Sequence, residues 1–311
     1  MQRAGSAAPW RHWARIAACA MALQAIVPPA GAQTTRAPAG TLARIRQAGK
    51  VNLGYRTDAR PFSYRDEQGS AAGFAVAMCM QVVDALKGEL ALPSLSVQWV
   101  PSTFETVQQG KVDLLCGADV PTAARRQLVS FSIPIFPNGI GALVRTDASP
   151  DLRNALMGTK RADPNWRASA SALLSKQTFG FVANTAAEQW VRSKAGEFRL
   201  TTQLVPAGDY ETGARRVLDH AAGVLFGDRA MLLDAAARSP EPAKLMVLDR
   251  RFTQEPLALA LARGDDDFRL FVDRALSKLY RSLELTAIYG KWFRAPDANA
   301  LTFYQWMAVP E

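Results

Sequence analysis

Apolar and polar positions alternate in short blocks along this chain, and the period of each block predicts an element. Val51-Asn52-Leu53-Gly54-Tyr55 predicts a strand. Phe74, Met78, Val82 and Leu86 recur every four residues and predict a helix over 74–88 with one buried face. Leu95–Val100 and Lys111–Cys116 predict strands, the second ending at Gly117. Residues 122–128 predict a short helix begun by Thr122, a residue type that caps helix N termini. Strands follow at Ile140–Arg145, Thr178–Val182, Val224–Phe226 and Leu257–Ala262, with helices at Thr185–Lys194 and Arg229–Arg238. Phe268, Phe271, Val272, Ala275, Leu276 and Leu279 form a helical stripe. Such alternation argues for α/β domains with largely parallel sheets, whose ligands sit outside the carboxyl ends of the strands.

The start of the chain follows another pattern. Arg3, Arg11 and Arg15 precede the apolar run 16–27, and Ala30-Gly31-Ala32 supplies an A-x-A site. This layout predicts a secretory signal peptide over 1–32, cleaved after Ala32, and hence secretion. The run is too short for a membrane span of ~20 residues, and no later segment is long enough. Ile16-Ala17-Ala18-Cys19 resembles a lipoprotein cleavage box, but Arg15 directly before it leaves no apolar segment upstream. Residues 33–40 are small and polar and predict a flexible linker.

Composition narrows the chemistry. With 311 residues, 49% hydrophobic and 21% charged, the chain is long enough for two globular domains. Two histidines and three cysteines exclude a multi-His metal site, a His/Cys zinc cluster and an iron–sulfur centre. The leader takes His12 and Cys19 with it, leaving His220, Cys79 and Cys116. In an oxidising compartment two cysteines read as one disulfide or as two buried thiols. General-base chemistry would rest on a carboxylate, Lys or Tyr, or be absent. Losing the leader's three arginines lowers the net charge from +9 to +6. The basic residues are interleaved with acids, which argues against a nucleic-acid partner. No cofactor is expected.

Three segments together resemble the family-3 extracellular solute-binding proteins of bacterial ABC transporters. Residues 41–74, TLARIRQAGKVNLGYRTDARPFSYRDEQGSAAGF, are similar to that family's first strand, Pro-Phe-Ser-Tyr turn and Gly-Phe helix start. Gly110-Lys111-Val112-Asp113, Thr122 with Arg125, and Phe131-Ser132 before Pro134 are similar to its central signature. Residues 253–280 and Tyr289-Gly290-Lys291-Trp292-Phe293 resemble its closing segment. The likeness covers about 41–145 and 178–295 and is nearest to the glutamate/aspartate type. It implies an α/β, two-lobed type II periplasmic-binding-protein fold, with mixed sheets flanked by helices and a two-strand hinge. Lobe 1 would take 41–145 and 256–295 and lobe 2 146–255, with 296–311 a C-terminal tail. The crossings would fall near Ala142–Thr146 and Thr253–Pro256. The resemblance also supports a Cys79–Cys116 bridge.

The same resemblance assigns ligand roles. Arg125, in the first turn of a predicted helix, matches the arginine that clamps the ligand α-carboxylate; a guanidinium can do so through two parallel hydrogen bonds. Asp228, after the strand at Val224–Phe226, matches the aspartate that pairs with the α-amino group, and it can equally cap the helix at Arg229. Thr185-Ala186-Ala187-Glu188 reads as a capping box whose free N–H groups suit a carboxylate. Arg56 matches an arginine that meets a distal carboxylate, or forms a surface ion pair. Tyr55 and Phe62 can pack on a ligand or in the core. Several positions depart from the glutamate/aspartate pattern. The stretch Val100–Gly110 is shorter, Ala118-Asp119-Val120 replaces Ser/Thr residues, Tyr210 stands near a ligand-contacting His, and 150–175 holds extra residues including Trp166. Asp119 facing the ligand would favour an ammonium and repel a second carboxylate.

The reading that follows is a monomeric periplasmic binding protein that hands a small amino-acid-like or carboxylate ligand to an ABC permease. The alternatives are a dehydratase-like enzyme on the same scaffold, with Asp119 and Tyr210 as its possible players, and a non-transport sensor or accessory protein with a degenerate pocket. His220 is expected to be a bystander.

Overall fold

The structure, a computed structural model, describes residues 40–158, 166–293 and 295–310. The leader, its cleavage site, Cys19, the linker up to residue 39 and the middle of the extra segment 150–175 lie outside the described residues. Among the described residues no helix is long and apolar enough to cross a membrane.

The chain opens with α1 (Thr41–Ala48), β1 (Lys50–Tyr55) and a small ribbon of β2 (Asp58–Ala59), β3 (Ser63–Arg65) and β4 (Ala71–Ala72). Next come α2 (Phe74–Glu89), β5 (Ser96–Pro101), α3 (Phe104–Gln108), β6 (Leu114–Asp119), α4 (Ala123–Arg126) and β7 (Ser130–Phe131). It then crosses into β8 (Ile140–Arg145), α5 (Pro150–Met157), α6 (Trp166–Ser175), β9 (Thr178–Val182) and α7 (Ala186–Glu197). There follow β10 (Gln203–Ala207), α8 (Tyr210–Leu218), β11 (Val224–Asp228), α9 (Arg229–Ala237) and β12 (Leu245–Val247). It returns through β13 (Ala258–Leu261), α10 (Asp266–Tyr280), α11 (Glu284–Trp292) and α12 (Ala298–Met307).

Two five-stranded sheets result, ordered β5-β1-β6-β13-β7 and β10-β9-β11-β8-β12. β1 is parallel to β5 and β6, and β9 to β10 and β11. The largely parallel pattern is broken where the chain passes between sheets. β13 is antiparallel to β6 and β7, and β8 to β11 and β12. Because β8 pairs in the second sheet, the first crossing runs ahead of Ile140 and not at Ala142–Thr146. β8 reads as a continuous apolar run because both its faces are covered. Ile140, Ala142 and Val144 face one cluster with Phe179 and Phe226, and Leu143 faces another with Val217 and Leu232.

In the first lobe the predicted stripe of α2 is buried: Phe74, Met78, Val82 and Leu86 are each 1% exposed or less. Gly73 makes this helix start possible. Its φ is +129°, and a Cβ there would stand 2.2 Å from the Phe62 carbonyl oxygen. Cys79 of α2 is bonded to Cys116 of β6, so the helix is fastened covalently to the centre of its sheet. Tyr55 and Phe62 both belong to this core; Phe62 packs against Phe74, Phe136 and Phe293. Residues 296–310 are not a loose tail. α12 is capped by Asp297 and buries Tyr304, whose hydroxyl donates to the Ile135 carbonyl at 2.9 Å. The tail expectation missed the aromatic contacts of Tyr304 with Tyr280 and Tyr289, which lie far away in sequence.

The bridged cysteines are 37 residues apart. Loop-closure entropy for that separation is worth about 4 kcal/mol. The double substitution C79A/C116A should lower the unfolding free energy by about that amount in a urea titration; an unchanged midpoint would show that the bridge adds nothing.

Candidate functional site

The site forms where the ends of β1 and β6 meet the end of β11. β1 delivers Arg56 one residue past its last position. Ser63 Oγ accepts from the Arg56 backbone N–H at 2.9 Å and fixes the exit of the strand. The guanidinium lies 3.2 Å from Asp58 and 3.6 Å from Asp119. Burial disfavours the charged Arg56 guanidinium, but the charges of Asp119 and Asp58 outweigh it and hold its pKa above the ordinary arginine value.

Asp119 is aimed by an irregularity at the end of β6. Asp119 pairs with Ala258 and Leu115 with Ala260, so three residues, Cys116 to Ala118, stand opposite Leu259 alone. Ala118 sits in this bulge with φ +54°, a left-handed conformation unusual for a residue with a side chain. Gly117 completes the arrangement, because a Cβ there would lie 2.3 Å from Asp119 Oδ2. The Asp119 carboxylate thus fills the space of the missing Gly117 side chain. It is 4% exposed, and its Oδ2 has no hydrogen-bond partner. Burial raises its pKa, with Arg56 and Arg125 opposing and Asp228 adding to the rise.

Arg125 follows from the cap of α4. Thr122 Oγ1 accepts from the Arg125 backbone N–H at 3.2 Å, as the sequence predicted. The side chain turns back over the Phe104 ring at 4.8 Å, and Nη1 donates to the Val120 carbonyl at 2.9 Å. The rest of the guanidinium fork has no protein acceptor among the described residues.

The second lobe contributes Asp228 and Tyr210. Tyr210 opens α8 behind its Asp209 cap, and its hydroxyl donates to Asp228 Oδ2 at 3.1 Å. The Tyr210 hydroxyl oxygen in turn accepts from the Asp228 backbone N–H at 3.2 Å. Gly227 leaves room for the ring, since a Cβ there would stand 2.4 Å from Tyr210 Cε1. Asn138 Nδ2 donates to Asp228 Oδ1. Burial raises the Asp228 pKa, opposed by these two donors and by Arg56 and Arg125. Burial and the neighbouring Asp228 charge push Tyr210 well above its ordinary 10.0, so it stays a neutral donor. Asp228 does not cap α9 through its side chain.

Arg56, Asp119, Arg125, Tyr210 and Asp228 are therefore brought together. Thr185 is engaged within its own turn: its hydroxyl donates to the Val182 carbonyl at 2.7 Å and accepts from the Glu188 N–H at 3.4 Å, and Asn184 N–H meets the Glu188 carboxylate. His220 sits in an exposed turn after α8 with φ +60°. Two residues of the site were not predicted, Asn138 and Glu255, which lie on the two crossings. The only sequence signal at Asn138 was a turn-like Pro-Asn-Gly. Glu255 has a buried Oε2 without a partner, and burial together with Asp228 raises its pKa. A cavity of about 790 Å³ between the lobes shares Asn138 but is otherwise lined by residues such as Pro61, Arg229, Tyr289 and Trp292. None of the five clustered residues reaches it, so the charged cluster and not this cavity marks the site.

Residues 51–295 match the sequence profile of the bacterial extracellular solute-binding proteins, family 3. The chain is 28% identical to the L-glutamate/L-aspartate-binding protein of Pseudomonas aeruginosa, over 83% of this chain and 81% of that one. It is 24% identical to the glutamate/aspartate import solute-binding protein of Escherichia coli, over 84% and 82%. The solved structure of an ancestral cationic amino acid solute binding protein superposes with a TM-score of 0.62 at 25% identity, covering 81% of this chain and 99% of that one.

A carboxyl whose pKa is raised by folding takes up its proton more readily in the folded state. Its ionised form therefore costs stability at neutral pH, and the cost vanishes as pH falls through the raised value, above the ordinary 3.8 of Asp119. D119N should melt a few degrees higher than the parent at pH 7, since about 1 kcal/mol moves the midpoint of a domain this size by roughly 2–4 °C. The difference should shrink on acidification. A constant or reversed difference in scanning fluorimetry would show that Arg56 fully compensates the carboxylate.

Proposed function

Because the chain belongs to the bacterial extracellular solute-binding proteins of family 3, we propose that it captures a free amino acid between its lobes in the periplasm and presents the closed form to an ABC permease. The observation that carries this reading is the opposed charge across the cleft. Arg125 and Arg56 stand on the first lobe, and Asp228 is held by Tyr210 and Asn138 on the other side. A zwitterion matches that pattern: the free part of the Arg125 fork takes the α-carboxylate in two charge-assisted hydrogen bonds, and Asp228 takes the α-ammonium. The hydroxyl and amide on Asp228 orient its carboxylate without neutralising it, so its charge remains for the ligand. Relatives matched along most of their length are binding proteins, which supports capture without bond making or breaking. The protein works as a monomer.

The site reads the ligand only when both lobes contribute, so binding and closure are linked. Secretion rests on the leader pattern of 1–32, with the mature chain beginning after Ala32.

Thermal-shift screening of the purified protein against the proteinogenic amino acids tests the reading. A ligand at 100 times its Kd should add roughly 2.7 kcal/mol of stability. R125A should then weaken binding about 100-fold, near the 3 kcal/mol expected for losing a charge-assisted pair. Stabilisation by no amino acid would reject amino-acid capture, and unaltered affinity in R125A would place the carboxylate clamp elsewhere.

A further inference from the structure

Capture of a zwitterion engages Arg125 and Asp228 but leaves buried acceptors unused. Asp119 Oδ2, Glu255 Oε2 and Asn138 Oδ1 are each buried and without a hydrogen-bond partner. Asn138 and Glu255 are neighbours, because the Glu255 backbone N–H donates to the Asn138 carbonyl at 3.0 Å. Asp119 and Asn138 are each 4% exposed, so bulk water does not serve them. Buried acceptors of this kind are costly unless a donor reaches them. The nearby cations do not meet the need. Arg56 is shared between Asp58 and Asp119, and it makes no hydrogen bond to Asp119 Oδ2. Arg125 spends one nitrogen on Val120 and directs the remainder to the ligand carboxylate of the proposed function.

Resting on that proposed function, we infer that the ligand carries a second donor-rich cationic group, so that this site selects basic amino acids such as lysine, ornithine or arginine over acidic and neutral ones. An ammonium brings three N–H donors and a guanidinium five, with no acceptor, which matches acceptors lacking donors. A distal carboxylate would instead add a like charge beside Asp119 or Glu255, each of which already feels the charge of Asp228. Arg56 cannot rescue it, because two aspartates already hold that guanidinium. Burial raises the pKa of both Asp119 and Glu255 and the charge of Asp228 adds to each, against the opposing pull of Arg56 and Arg125 on Asp119 and of Thr253 and Arg125 on Glu255. A preference for basic amino acids would set this chain apart from the two glutamate/aspartate-binding relatives through residues at the cleft rather than through the shared scaffold.

Calorimetric titration with L-lysine, L-arginine, L-glutamate and L-norleucine decides the matter, since norleucine is close to lysine without its terminal ammonium. Lysine or arginine should bind at least 30-fold more tightly than norleucine and glutamate. D119N and E255Q, shown by circular dichroism to be folded, should each reduce that ratio at least tenfold. Glutamate or norleucine binding as tightly as the basic amino acids overturns the inference and leaves amino-acid capture standing. Binding of none of the four, together with no hit in the thermal screen, overturns both. A ratio that survives in D119N and E255Q overturns the assignment to these two carboxylates.

Discussion

Two chain crossings run in contact between the sheets, and the site depends on how closely they approach. A Cβ on Gly139 would stand 2.0 Å from the Thr253 carbonyl oxygen, so only glycine lets the strands lie this near. Backbone pairing then locks their register. Ile140 N–H donates to Thr253 Oγ1, Phe252 N–H to the Ile140 carbonyl, and Glu255 N–H to the Asn138 carbonyl. This register sets Asn138 beside Glu255 and turns the Asn138 amide onto Asp228. The placement of the acid that faces the first lobe is therefore inherited from a backbone contact a few residues away.

Charge is distributed unevenly around these crossings. Arg56 and Arg125 come from the first lobe, while Asp228 comes from the second and is steadied by two neutral donors. Taking charges out of water is unfavourable unless they are paired and hydrogen-bonded, so bringing the lobes together is favourable only to the extent that opposite groups meet. Asp119 stands 3.6 Å from Arg56 and keeps one carboxylate oxygen without a hydrogen bond. Away from the cluster, Arg60 stacks on Tyr64 at 3.8 Å and stands 3.7 Å from Asp234 of α9. That pair joins the lobes outside the site, with the weak energy of a partly exposed ion pair.

Glycines on the strand ends give the cleft its shape. Gly117 yields its place to the Asp119 carboxylate, and Gly227 yields its place to the Tyr210 ring. In both cases a side chain from elsewhere occupies the space that the strand residue leaves open. The pocket surface is thus composed by neighbours in space rather than by the strands' own sequence, and one added methyl group at either glycine would displace a charged or hydrogen-bonded group.

Much of the fold was legible from local pattern. The four-residue spacing of α2 and the stripe of α10 both report burial directly, because each helical face meets one sheet. Thr122 and Thr185 were readable as caps because capping is satisfied within three residues. Arg56, Arg125 and Asp228 were singled out by resemblance to the family's motifs, and Asp119 and Tyr210 as departures from them; the structure brings these five together. The strand at Lys111–Cys116 came out shifted to Leu114–Asp119, since pairing with β1 and β13 set its bounds. The true first crossing, the packing of α12 and the roles of Asn138 and Glu255 carried no local signal. Sequence by itself determined the alternating elements, their caps and the residue types at the strand ends, because those depend on interactions within a turn or two. Tertiary structure decided which acids lose their water, which are left without donors and which face a guanidinium. Those outcomes follow from contacts between residues far apart in the chain, and from the close approach of two backbones that no local period encodes.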